Sequence, residues 1–141
     1  MPSFLTAAEA EMHRWLDQAR RAAALAPLRP AEALAAAARA KCLELAGGPS
    51  AYCLRHDGPR WGGPLALQRA FGVRARVMGG ENLAACADPW RAFQALLASP
   101  GHRANILHPE HDAVGVAVLA VPRGVAVCQE FAGGLAPGAG R

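Results

Sequence analysis

Residues 113–133, AVGVAVLAVPRGVAVCQEFAG, decide the architecture. Val114, Val116 and Val118 alternate with Ala113, Gly115 and Ala117. Val-Pro-Arg-Gly at 121–124 makes a turn, and Val125, Val127, Gln129 and Phe131 run back, with Ala126 and Cys128 between them. A period of two broken by a turn is the pattern of a β-hairpin. Neither set of alternating positions is strongly polar, so both faces of the sheet need cover. The reading is an α+β fold: a three-layer α-β-α sandwich, with helices on both faces of an antiparallel sheet.

Working outward, the helices that provide the cover are visible. Thr6-Ala-Ala-Glu9 fits a capping box, with hydroxyl and carboxylate each taking the other's backbone N–H. Behind it Met12, Trp15, Leu16, Ala19 and Ala23 keep helical spacing, while Arg14, Asp17, Arg20 and Arg21 lie off the stripe and His13 reads as a surface residue. This helix is expected to stop near Pro27, and Pro30 suits the first turn of a second helix. Leu34, Ala37, Ala38, Cys42 and Leu45 mark its buried face, and Gly-Gly-Pro-Ser at 47–50 ends it. Residues 51–64 read as loop. A short helix over 65–71 closes at Gly72, and 73–78 make a short strand leading into Gly79-Gly80. Asp88-Pro89 starts a helix with Trp90, Phe93 and Leu97 on one face, ended by Ser99-Pro100-Gly101.

Composition narrows the functions. The 141 residues are 52% apolar and 18% charged, which suits a folded globular chain rather than a disordered one. No apolar run approaches the roughly 20 residues that span a bilayer. The first residues lack a basic segment before an apolar stretch, so no signal peptide is read there. The net charge is +4 and Lys41 is the only lysine; the arginines are scattered, with no dense basic run interleaved with aromatics. That argues against nucleic acid as partner and fits anionic envelope polymers. Cys42, Cys53, Cys86 and Cys128 form no C-x-x-C pair, which argues against a zinc knuckle. Two disulfides in any of three connectivities and four reduced, buried thiols remain open at this point.

Three separated residues carry candidate chemistry. His56 stands in the loop Leu-Arg-His-Asp-Gly, Glu81 follows Gly79-Gly80, and His102 follows Ser-Pro-Gly where the chain leaves a helix and bends tightly. Asn105 is read as locking that turn. His108 and His111 flank Pro109-Glu110 and read as a solvated turn, because Pro109 disfavours helical geometry at His108. If His56, Glu81 and His102 converge, two imidazoles and a carboxylate suit zinc with a bound water, or general acid–base work near neutral pH.

With these pieces assembled, the chain resembles a CAP-superfamily domain, the sperm-coating or pathogenesis-related-1 type, and more narrowly its compact bacterial branch. The resemblance rests on Gly-Glu-Asn-Leu-Ala at 80–84, Ser-Pro-Gly-His-Arg-Ala-Asn-Ile-Leu at 99–107, Arg-His-Asp-Gly at 55–58, the two opening helices and the closing hairpin. It implies one domain over residues 5–133 with a flexible tail over 134–141. It implies a surface cleft with histidines at His56 and His102 and a glutamate at Glu81, a candidate base. A second family glutamate falls near Ser99. Asn82 and Asn105 would be structural turn residues. His56 and His102 would hold a divalent cation, zinc or another, that the fold does not require. Secretion or an envelope location is implied, with a leader already removed. So are disulfides, for which Cys86–Cys128 and Cys42–Cys53 are the expected pairs.

The function implied is binding of an extracellular lipid, cell-wall fragment or protein. The alternatives are a zinc-dependent hydrolase and a structural protein of a wall or spore coat. The absence of H-E-x-x-H and G-x-S-x-G weighs against an enzyme.

Overall fold

The computed structural model describes residues 1–48, 50 and 53–137. The elements run α1 (Ala7–Ala22), β1 (Arg29–Pro30), α2 (Glu32–Ala46), α3 (Pro64–Ala70), β2 (Ala75–Cys86), α4 (Pro89–Ala98), α5 (Pro100–Ile106), β3 (Ala113–Val121) and β4 (Gly124–Leu135). The strands form one sheet in the order β1-β3-β4-β2. The hairpin β3–β4 is its centre, closed by the pair Val121 and Gly124. β2 pairs antiparallel with β4. The expected antiparallel sheet gains a parallel edge: Arg29 and Pro30 pair with Ala113 and Val114. Pro30 therefore belongs to an edge strand, where its missing N–H costs nothing, and α2 starts at Glu32.

The capping box of α1 is formed, with Thr6 Oγ1 accepting from Glu9 N at 3.2 Å and Glu9 Oε1 from Thr6 N at 3.0 Å. The helix stops before the expected Pro27: Ala24 turns left-handed, with φ 58°. The short strand expected over 73–78 is the start of a longer one, β2, which runs from Ala75 to Cys86 with a register shift between Val77 and Gly80. Gly134 and Leu135, expected in a tail, remain in β4; residues 138–141 lie outside those described, as do Pro49 of the α2 stop and residues 51–52 of the loop.

Alternation along the hairpin sorts the core into two layers. Val114, Val116, Val127 and Phe131 meet Met12 and Leu16 of α1, Phe93 and Leu96 of α4 and Ile106 of α5. Ala117, Ala126, Cys128 and Leu83 meet Ala38, Cys42 and Leu45 of α2. Small residues on this second face let α2 lie close: a Cβ on Gly115 would stand 1.9 Å from the Leu34 carbonyl carbon.

Several expectations change. All four cysteines are free. Cys86 packs into the α1/α4 layer while Cys128 packs under α2. In register Cys128 faces Leu83 and Cys86 faces Val125, so the sheet separates the two thiols. Cys42 is buried and Cys53 is exposed on the loop. His13 and Arg20 are each 1% exposed, not on the surface. The Arg20 guanidinium donates to the carbonyls of Ala26, Ile106, His108 and His111, stapling α1 to the segment before β3. His111 is not solvated either: it is 3% exposed, stacks between His108 and Phe131, and its Nδ1 lies 2.9 Å from the Asn105 carbonyl.

Candidate functional site

Ser99-Pro100-Gly101 both ends α4 and begins α5, with Pro100 in the first turn. His102 therefore stands on the first turn of a second helix instead of in a bent loop. Its Nδ1 lies 2.8 Å from Ser99 Oγ, the position where the resemblance places the missing glutamate. Both His102 and Ser99 are half-buried.

β2 supplies Glu81 and Asn82 on opposite faces. Asn82 is fully buried and ties α5 to the sheet: its Nδ2 donates to the His102 carbonyl and to Gln129 Oε1, both at 3.0 Å, and its Oδ1 accepts from Asn105 Nδ2 at 2.9 Å. Asn105 also donates to the Glu81 carbonyl. These two asparagines do not shape a turn; they bind a helix to an edge strand and fix where His102 starts.

Glu81 meets His56. The His56 Nδ1 lies 2.7 Å from Glu81 Oε1, with the imidazole side chain 51% exposed and the carboxylate 1%. The loop bearing His56 is moored to α2. Lys41 Nζ donates to Glu44 Oε1 at 2.9 Å and to the His56 carbonyl at 3.3 Å, and Glu44 Oε2 accepts from the N–H groups of Arg60 and Trp61. Gly58 makes room, since a Cβ there would meet Glu44 Oε1 at 1.7 Å. Burial pulls the His102 pKa below the ordinary imidazole value, with a smaller pull in the same direction from His56; among the described residues no hydrogen bond joins the His102 ring to His56 or to Glu81. With each Nδ1 engaged by an oxygen, each Nε2 remains as a ligand nitrogen or a base. That is the arrangement in which histidines bind metals, one ring nitrogen oriented by a neighbouring acceptor.

Behind Glu81 lies a residue the sequence reading missed, Glu130. It faces Glu81 across the β2–β4 register and is fully buried. Gln68 Nε2 lies 3.3 Å from its Oε1, and Cys128 Sγ lies 3.0 Å from its Oε2. Burial and the Glu81 carboxylate hold Glu130 well above the usual carboxyl range, and burial and Glu130 push the Cys128 thiol up. The signal was available: Glu130 keeps the phase of Ala126, Cys128 and Ala132, so alternation already pointed it inward.

The family model of the cysteine-rich secretory protein family, CAP, matches residues 14–131. The chain belongs to the CAP family. As a CAP chain it is 31% identical over 133 residues to YkwD of Bacillus subtilis (strain 168), covering 94% of this chain and 49% of that protein. It thus spans about half the length of the curated relative it matches. Its fold matches that of an extracellular SCP-domain protein from Bacillus anthracis with TM-score 0.80 and 24% identity, over 89% of this chain and 40% of the other. An outer surface protein of Borrelia burgdorferi matches with TM-score 0.77 and 16% identity, over 90% of this chain and 92% of the other. The α-β-α architecture expected for the compact bacterial CAP domain is the one observed. None of the helices described is long and apolar enough to cross a membrane.

Proposed function

We propose that this CAP chain is the ligand-binding domain of a secreted or envelope protein. In this reading His56, Glu81, Ser99 and His102 line a cleft that recognises an extracellular lipid, cell-wall fragment or protein. The observation that carries it is the contact between a half-exposed imidazole, His56, and a buried carboxylate, Glu81. Relatives that are an extracellular SCP-domain protein and an outer surface protein support the location.

The donor set suits a divalent cation. His56 and His102 would offer Nε2, and Glu81 and Ser99 would orient the rings. A bound zinc would supply a Lewis-acidic point for an anionic group of the ligand. Glu81 serves His56 and is shut away from solvent, so it fits an orienting role better than that of a base acting on water. The loop that bears His56 also lines a groove of about 490 Å³ with Leu43, Glu44, Pro59, Arg60 and Trp61, an apolar surface beside one anionic and one cationic side chain. That chemistry favours a ligand with an apolar part, a lipid or envelope fragment.

Zinc is expected to raise the melting temperature of the parent by more than it raises that of His56→Ala or His102→Ala. A zinc response that is the same in parent and variants removes the cleft from the proposal.

A further inference from the structure

Three acid groups meet on the α2 side of the sheet. One donor atom from each of Glu81, Cys128 and Glu130 falls within 4.8 Å of the others, and all three residues are buried. Among the described residues it is the one grouping of histidine, cysteine or carboxylate donors so close. Other buried charges here have partners: Glu9 has Arg39, Lys41 has Glu44, and Arg20 has four carbonyls. Among the described residues no lysine or arginine forms an ion pair with Glu81 or Glu130. Gln68 Nε2 is a neutral donor shared with the carbonyls of Gly80 and Phe131. Glu81 Oε1 is taken by His56, while Glu81 Oε2 is buried with no nitrogen or hydroxyl donor on it, and the group the Glu81 carboxylate meets on this side is the Glu130 carboxyl. Several potential anions in one dry volume need positive charge, either as protons or as a cation.

We propose that Glu81, Cys128 and Glu130 form an inner site for a thiophilic divalent cation of the zinc class, adjoining the histidine cleft through Glu81 but using neither histidine as a ligand. A thiolate with two carboxylates suits zinc, cobalt or cadmium, whereas calcium and magnesium favour all-oxygen ligands. On binding, the Cys128 S–H and Glu130 O–H bonds break and two protons pass to solvent. The metal bonds to the sulfur and to one oxygen of each carboxylate, and no electron moves. The cation takes the place of the proton between the two carboxylates, and His56 stays on Glu81 Oε1 as an outer hydrogen-bond partner of a metal ligand.

Cobalt(II) is the probe, because a thiolate-to-cobalt charge-transfer band reports sulfur ligation and the histidine cleft offers no sulfur. The measurement uses the full chain with Cys53→Ser and Cys86→Ser, which silence the more accessible thiols. The expected result is a band that saturates at one equivalent and persists in His56→Ala/His102→Ala. It is abolished in Cys128→Ser and needs at least about tenfold more cobalt in Glu130→Gln. Cys128→Ala, apolar like its neighbours Ala126 and Ala117, reads the same outcome if the serine variant does not fold. Three results overturn the inner site: no band in the folded parent, a band that survives loss of Cys128, or a band lost in the histidine variant. The cleft reading is tested in the Cys128→Ala background, which lacks the inner site: there zinc raises the melting temperature and loses that effect on adding His56→Ala or His102→Ala, so the two are separable.

Discussion

The imidazole of His13 lies on α1 at 1% exposure, and among the described residues neither ring nitrogen has a hydrogen-bond partner. Burial lowers its pKa from 6.5 to about 4, against a smaller opposing pull from Glu9. The folded state therefore refuses a proton that the unfolded chain accepts below pH 6.5. Stability is full above that value, declines as pH falls towards 4, and levels off below it. The loss is about 3 kcal/mol. In His13→Leu the unfolding free energy from urea denaturation should not fall at pH 7, and its decline between pH 6.5 and 4 should shrink by that amount. An unaltered pH profile in the variant counts against the neutral buried imidazole. The buried positions of α1 are Glu9, Met12, His13, Leu16 and Arg20, an unbroken helical stripe. Spacing alone includes His13 and Arg20; their polarity argued them out. Arg20 is buried because four carbonyls replace its water, and three of them belong to a segment some 90 residues away.

The segment from 53 to 63 has little regular structure, yet the clamp of Lys41 and Glu44 gives it a defined seat on α2. Glu44→Gln leaves the Lys41 ammonium buried without its counter-charge, at a cost of about 3 kcal/mol read by urea denaturation. Lys41→Met/Glu44→Gln should recover most of that loss but not the zinc response, since the His56 carbonyl still lacks its donor. Parent-like zinc stabilisation in the double variant means that the clamp does not position His56. The helix α5 went unread for a related reason. Ser-Pro-Gly is stop punctuation for α4 and start punctuation for α5 at once, and seven helical residues are too few to show a periodicity. What holds α5 is the asparagine pair, Asn82 and Asn105, binding it to β2.

Across the molecule, α2 and the cluster of α1, α4 and α5 press on opposite faces of the sheet, and the thiols are distributed between the two layers. The alternation that makes each face apolar also sends Cys86 and Cys128 in opposite directions. Denatured without reductant, the chain should take up four alkyl groups, counted by mass spectrometry. In the native state Cys53 should react first, Cys86 more slowly, and Cys42, its thiol pushed up to about 12 by burial, together with Cys128 should resist. Fewer than four alkyl groups in denaturant means a covalent bridge and sinks this arrangement. Disulfides were expected from family resemblance. The register that forbids the Cys86–Cys128 pair emerges only when β2 and β4 are aligned, because a shift of three positions and a change of face cannot be read within either strand.

Local rules acting over a few residues were enough for the hairpin, the capping box of α1, the apolar faces of the helices and the need for cover on both sides of the sheet. Each depends on a repeat or a cap contained within one stretch of chain. The meeting of His56 with Glu81, the seating of Lys41 beneath the loop, and the enclosure of Glu130 and Cys128 arise between elements far apart in sequence. Burial and pairing of charged groups are set by whichever neighbours the packed layers bring, and no spacing along the chain encodes those neighbours.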